Sequence, residues 1–217
     1  MLPNTTTLFS NPAVPYVLPF AVFLLLTELA RWLPDSVLWL YPLKTVAAGA
    51  LLVWFWRTYE EINWEFSWLA IATGIAVFVL WVPLYGGYLL LNEPTIINPY
   101  ELAGKWAIPW ISIRFVGSTI VVPIMEELFW RSFLLRYLIQ SDFRQLPLGT
   151  FTWSSFIIST ALFGAEHNQW FAGIVAGALY TLLLYQSRSL SSCILAHAVT
   201  NLLLGVYVLA TEEWQYW

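Results

Sequence analysis

The sequence predicts an all-α fold: a polytopic membrane bundle of about seven to eight transmembrane helices, forming one integral membrane domain over residues 1–217. Three observations carry this prediction. The chain is 59% hydrophobic and only 10% charged, against roughly 25% charged in ordinary soluble domains. Apolar runs of about 18 residues or more recur along it, close to the length a helix needs to cross a hydrocarbon core of about 30 Å. Many of the 14 tryptophans stand at the ends of those runs (Trp32, Trp39, Trp54, Trp56, Trp68, Trp81, Trp214, Trp217), as in the aromatic belts of membrane interfaces.

Taken in order, the apolar runs predict helices at about 14–33, 38–57, 67–86, 118–140, 151–167, 170–186 and 190–210. Between the third and fourth, the stretch from Gly86 to Phe115 is rich in Pro, Gly and Asn, which interrupts a helix. Its second half, with Lys105, Trp106, Trp110 and Arg114 among apolar residues, suits an interfacial helix. One helix over 106–140 would be about 50 Å long and overshoot the bilayer. Pro123 would also kink it, and an eighth span is the alternative.

The net charge of −4 is small and the basic residues are scattered. This excludes a nucleic-acid footprint and a polybasic lipid-binding tail, so partners are expected in or near the bilayer. The single Cys193 cannot form an intrachain disulfide. The opening MLPNTTTLFSNP lacks the basic region of a cleaved signal, and residue 1 is read as part of the mature chain. Arg57, Arg136, Arg144 and Arg188 gather on one side of the spans, with Arg31, Lys44 and Lys105 toward the other. That bias favours a cytoplasmic N-terminus.

Ionisable groups within spans cost about 2.5–3.5 kcal/mol each on insertion scales, so they are paired or functional. Glu28 and Arg31, three apart near a span end, are accounted for by a helical ion pair and snorkelling. Lys44 has a long stem near a span end and is given no role. The remaining groups are Glu126, Glu127, Arg131, Arg136, Glu166, His167 and His197.

Glu127 and Arg131 are four apart and share a helix face, which makes them natural counter-ions. Glu126 is turned about 100° away and has no such local partner. His167 closes FGAEH with Phe163 one turn before it, and His197 opens HAVTN with Asn201 one turn after, each pair on one face. Both histidines of the chain thus lie in spans. A carboxylate, two imidazoles and an amide suit attack by an activated water, with Glu126 as general base assisted by His167. His197 and Asn201 can then donate hydrogen bonds to an oxyanion. Two histidines and a glutamate also form a catalytic zinc set. Glu126, His167 and His197 would be its ligands, and zinc stays open although the metal-free mechanism is favoured. Glu166, beside His167 but pointing elsewhere, is left out of the catalytic set.

EELFWR, FGAEH and HAVTN, in this order on successive hydrophobic helices, resemble the three motifs of the CPBP family, which includes CAAX prenyl endopeptidases and bacteriocin-processing proteins. The resemblance covers about residues 118–210. It implies an intramembrane glutamic-type endopeptidase acting on a membrane-associated protein or peptide, with Glu126 and His167 activating water, His197 and Asn201 stabilising the oxyanion, and Glu127 and Arg131 in support. The opening PAVPYVLPFAVFLLLTELARWLP and the overall size look like the exosortase-associated branch, which implies a bacterial plasma membrane and a protein-sorting partner. A non-catalytic scaffold of the same fold and a proton or ion pathway are the competing functions. By residue count Glu126 and His197 lie at different depths in their helices, so the groups converge only if helices tilt or a cavity reaches inward.

Overall fold

The computed structural model of the chain describes residues 11–33, 36–86, 89–92 and 96–217, all but the side chains of Arg31 and Leu102. Among the described residues every regular element is helical, as expected where backbone polar groups must be satisfied away from water. Helices α1 (Val14–Trp32), α2 (Val37–Trp54) and α3 (Trp68–Trp81) fall on the first three expected spans. A short α4 (Pro99–Ala103) precedes a long helical run, α5 (Gly104–Tyr137). Helices α6 (Trp153–Glu166), α7 (Trp170–Ser187) and α8 (Leu190–Thr211) complete the bundle. By length and composition α2, α5, α7 and α8 can each cross a membrane, while α1 and α3 contain shorter apolar helices.

The fourth expected span needs correction at its start. Instead of an interfacial helix and a separate span beginning near 118, the chain is helical for 34 residues from Gly104 to Tyr137. A π-helical turn, Gly117–Val121, joins the two parts, with Val122 N–H donating to the Gly117 carbonyl. Pro123 supplies a physical reason. It has no N–H for the carbonyl four residues back, and a local i→i+5 register takes the chain past it without leaving the helix. A second π-helical stretch, Leu128–Leu134, follows the two glutamates and carries Arg131. At 1.5 Å per residue the run is about 50 Å long, so α5 exceeds a hydrocarbon core.

Helix α1 packs on α2, α6 on α7, and α3 on α8, with α7 touching both α3 and α8. Small residues let these backbones approach, as in other helix–helix contacts within membranes. A Cβ at Gly74 would collide with the Ala196 carbonyl and sit 2.8 Å from Val199 Cβ. That approach lets Thr200 Oγ1 on α8 donate to the Gly74 carbonyl at 2.9 Å. Thr200 in turn accepts from the Tyr180 hydroxyl at 2.7 Å, and the Tyr180 ring stacks on His197 with centroids 5.1 Å apart. Gly74→Ala is therefore expected to destabilise the bundle by about 1–3 kcal/mol, the usual cost of overpacking. Denaturant unfolding of the purified protein in detergent, followed by circular dichroism, measures it.

At one end of the bundle a polar cluster ties the loop after α2 to α1 and α5. Glu61 accepts from Tyr16 at 3.0 Å, from Arg136 at 3.0 Å and from Ser132. Arg136 also donates to the Leu146 carbonyl at 3.2 Å, and Arg188 to the Leu148 carbonyl at 3.2 Å. Tyr59 donates to the Pro15 carbonyl at 2.7 Å. Burial, then the neighbouring Tyr16 and Glu61, pushes the Tyr59 phenol well above its ordinary range, so it remains a donor.

The tryptophans divide. Trp32, Trp39, Trp54 and Trp68 are exposed and fit a belt, but Trp214 is buried, and Trp81 and Trp217 line an internal cavity. Lys44 donates to Thr27 Oγ1 at 3.0 Å and lies over the Phe23 and Tyr41 rings, bracing α1 against α2. The Glu28–Arg31 pairing and the state of residue 1 fall outside the described side chains and residues.

Candidate active site

The polar groups of the three motifs occupy two tiers. The inner tier is centred on Glu127, fully buried on α5. Its Oε1 accepts from Arg131 Nη1 at 3.1 Å, as the four-residue spacing predicts, and from His197 Nδ1 on α8 at 2.9 Å. Arg131 also donates to the Gly177 carbonyl at 3.3 Å, and its guanidinium lies 4.3 Å from the centre of the Phe163 ring. One carboxylate thus gathers α5, α7 and α8 around a single charge pair.

Glu126, one position earlier, is buried, and its Oε2 has no hydrogen-bond partner. Its charged neighbours are Glu166 on α6, Glu127 and Arg131. Sequence reasoning set Glu166 aside as pointing elsewhere. In the fold its Oε2 accepts from Trp130 Nε1 at 3.2 Å, one helical turn beyond Glu126. Helix α6 ends at Glu166 and His167 is extended, at φ −92° and ψ 139°, so helical spacing does not relate the directions of these two side chains.

The outer tier lines a cavity of about 190 Å³ that includes His167, Asn201, Ser118, Tyr180 and Arg114. His167 Nδ1 donates to the Phe163 carbonyl at 2.7 Å, so in the neutral ring Nε2 carries the lone pair. Asn201 Nδ2 donates to the Ser118 carbonyl at 2.8 Å, which leaves its second N–H available. The loop beyond His167 is latched to the segment after α3: Asn92 N–H donates to Asn168 Oδ1 at 2.8 Å, and Asn168 Nδ2 to the Asn92 carbonyl at 3.0 Å. Phe163 separates the tiers, with its ring centre 4.7 Å from His167 and 6.3 Å from His197.

The structure therefore brings Glu127, Arg131 and His197 into direct contact. It places Glu126 beside them and His167 and Asn201 on the cavity wall. Among the described residues no hydrogen bond joins Glu126 to His167, and no three His, Cys, Asp or Glu side chains are grouped to hold a metal ion. His197 Nδ1 donates to Glu127, which leaves its Nε2 lone pair free, the hydrogen-bonding pattern that metal-bound histidines also use.

The fold is a helical bundle, with helices long and apolar enough to cross a membrane, that holds a buried carboxylate–imidazole cluster beside a cavity. Residues 108–203 match the family described as type II CAAX prenyl endopeptidase, Rce1-like. This segment, which carries all three motifs, is similar to that family. The match does not reach the N-terminal stretch on which the narrower exosortase-associated resemblance rests. Comparison with curated proteins and with solved structures yields no match.

Proposed function

We propose that the protein is a metal-free intramembrane endopeptidase that hydrolyses a peptide bond of a membrane-associated substrate. The observation that carries this reading is Glu126, a buried carboxyl with an unpartnered oxygen, set between the Glu127–Arg131–His197 cluster and Glu166. Glu61 is fully bonded, and Glu127, although its Oε2 is unpartnered too, has its Oε1 committed to Arg131 and His197. An oxygen kept free of protein partners at the site suits a water to be activated.

In this reading water enters by the cavity and is held by His167 Nε2 and Glu126, with Phe163 moving to join the tiers. Glu126 takes a proton as the water oxygen attacks the carbonyl carbon. The carbonyl oxygen becomes an oxyanion, which accepts hydrogen bonds from Asn201 and His197. His197 can donate from Nε2 only as the imidazolium, whose charge Glu127 would balance. When the C–N bond breaks, Glu126 returns its proton to the leaving amine. Glu166, fixed by Trp130, positions the Glu126 carboxyl.

The topology that goes with this reading has seven spans, α1–α3 and α5–α8, in a bacterial plasma membrane with a cytoplasmic N-terminus. The basic side chains that gather at the Glu61 end support that orientation. The test is cleavage of membrane-anchored peptides by the purified protein in liposomes, with and without a chelator. Cleavage that resists chelation is expected. Loss of cleavage with chelator, restored by zinc, would overturn the metal-free mechanism, and absence of cleavage across the panel would favour a scaffold.

A further inference from the structure

We propose that Arg114 is the docking point for a free carboxylate at the C-terminus of the bound peptide, a specificity determinant on the wall of the same cavity. The proposal rests on the endopeptidase reading for its biological meaning, but not for its test. Arg114 stands on α5 one turn before Ser118, and both line the cavity with His167 and Asn201. Ser118 is the residue whose carbonyl holds the Asn201 side chain. Four residues of helix rise about 6 Å, so a short extended segment of peptide bridges Arg114 and the Asn201 amide.

The guanidinium is boxed by aromatic rings. Tyr41, Trp110 and Trp217 have their ring centres 4.4, 5.3 and 5.2 Å from it. Ring faces attract a cation but do not accept its in-plane N–H groups. The two other arginines of the α5 run each have a carboxylate: Arg131 has Glu127, and Arg136 has Glu61. Among the described residues none lies within ion-pair distance of Arg114, and its Nε has no hydrogen-bond partner. A permanent charge without a counter-ion on a cavity wall favours an anion, and a planar carboxylate matches the guanidinium fork with two parallel hydrogen bonds. The cavity that offers this cation also holds His167 and Asn201, which favours a peptide terminus over a lipid phosphate.

Binding without turnover tests the assignment. The full-length protein in neutral detergent is titrated calorimetrically with N-acetyl-trileucine as the free acid, with the same tripeptide as its C-terminal amide, and with glycerol 1-phosphate. The acid is expected to bind roughly ten- to a hundred-fold more tightly than the amide, the range for a hydrogen-bonded charge. Arg114→Gln should erase the preference and Arg114→Lys should restore part of it. Equal affinity for acid and amide, no acid binding at millimolar concentration, or an unchanged preference in Arg114→Gln would overturn the proposal. So would Arg114-dependent binding of glycerol 1-phosphate without binding of the acid, which would assign the site to a lipid phosphate. The wild-type comparison needs no variant to fold, and its failure leaves the hydrolase reading to the cleavage assay.

Discussion

Arg131→Leu is expected to destabilise the protein by about 3–5 kcal/mol, the cost of leaving a buried charge without its partner. Arg131 is 2% exposed and Glu127 is fully buried. Removing the guanidinium leaves Glu127 with His197 as its one remaining donor, while Glu126 and Glu166 stand close by with carboxyls of their own. The contact with Phe163 and the hydrogen bond to the Gly177 carbonyl go as well. Denaturant unfolding in detergent, read by circular dichroism, gives the loss. The double variant Glu127→Gln/Arg131→Leu should recover more than 1 kcal/mol of it, because the carboxylate is no longer stranded and residues in contact couple. A loss under 1 kcal/mol for Arg131→Leu, with no recovery in the double variant, would show that the cluster does not hold the helices together.

How much of this was legible beforehand depended on whether an interaction is local. The Glu127–Arg131 pair follows from a spacing of four, and six of the seven expected spans from the apolar runs alone. The His197–Glu127 bond spans 70 positions and is fixed by how α8 crosses α5, which no periodicity encodes. The π-helical turn at Gly117–Val121 changes which face of α5 meets the cavity. Arg114, assigned from sequence to an interfacial helix, stands on the cavity wall. Trp214 and Trp217 read as belt residues because they close an apolar run. The helix has already ended at Thr211, with Glu212 in a left-handed conformation at φ 60°, and that turn leads the chain to the three-residue helix Trp214–Tyr216 and Trp217. A cavity reaches His167 and Asn201, while Glu126 and His197 are buried at 4% and 5% exposure.

Glu126→Gln is expected to lower hydrolysis by at least about a thousandfold, within the range of about 10²–10⁴ that a positioned acid–base group contributes, while leaving the fold nearly unchanged. The substitution is isosteric. It exchanges an oxygen that has no hydrogen-bond partner for an amide, and it removes a carboxyl from the neighbourhood of Glu127 and Glu166. Stability should therefore hold or rise, the opposite of what Arg131→Leu does. Single-turnover cleavage of a membrane-anchored peptide, paired with the melting temperature of each protein, separates the two effects. A Glu126→Gln protein that cleaves at the wild-type rate would remove Glu126 from the mechanism and make Glu166, the other carboxyl held at this site, the next group to replace. A Glu126→Gln protein that is both inactive and strongly destabilised would instead put Glu126 among the groups that hold the bundle together. Reduced activity at unchanged stability is the outcome that distinguishes a general base from a structural glutamate.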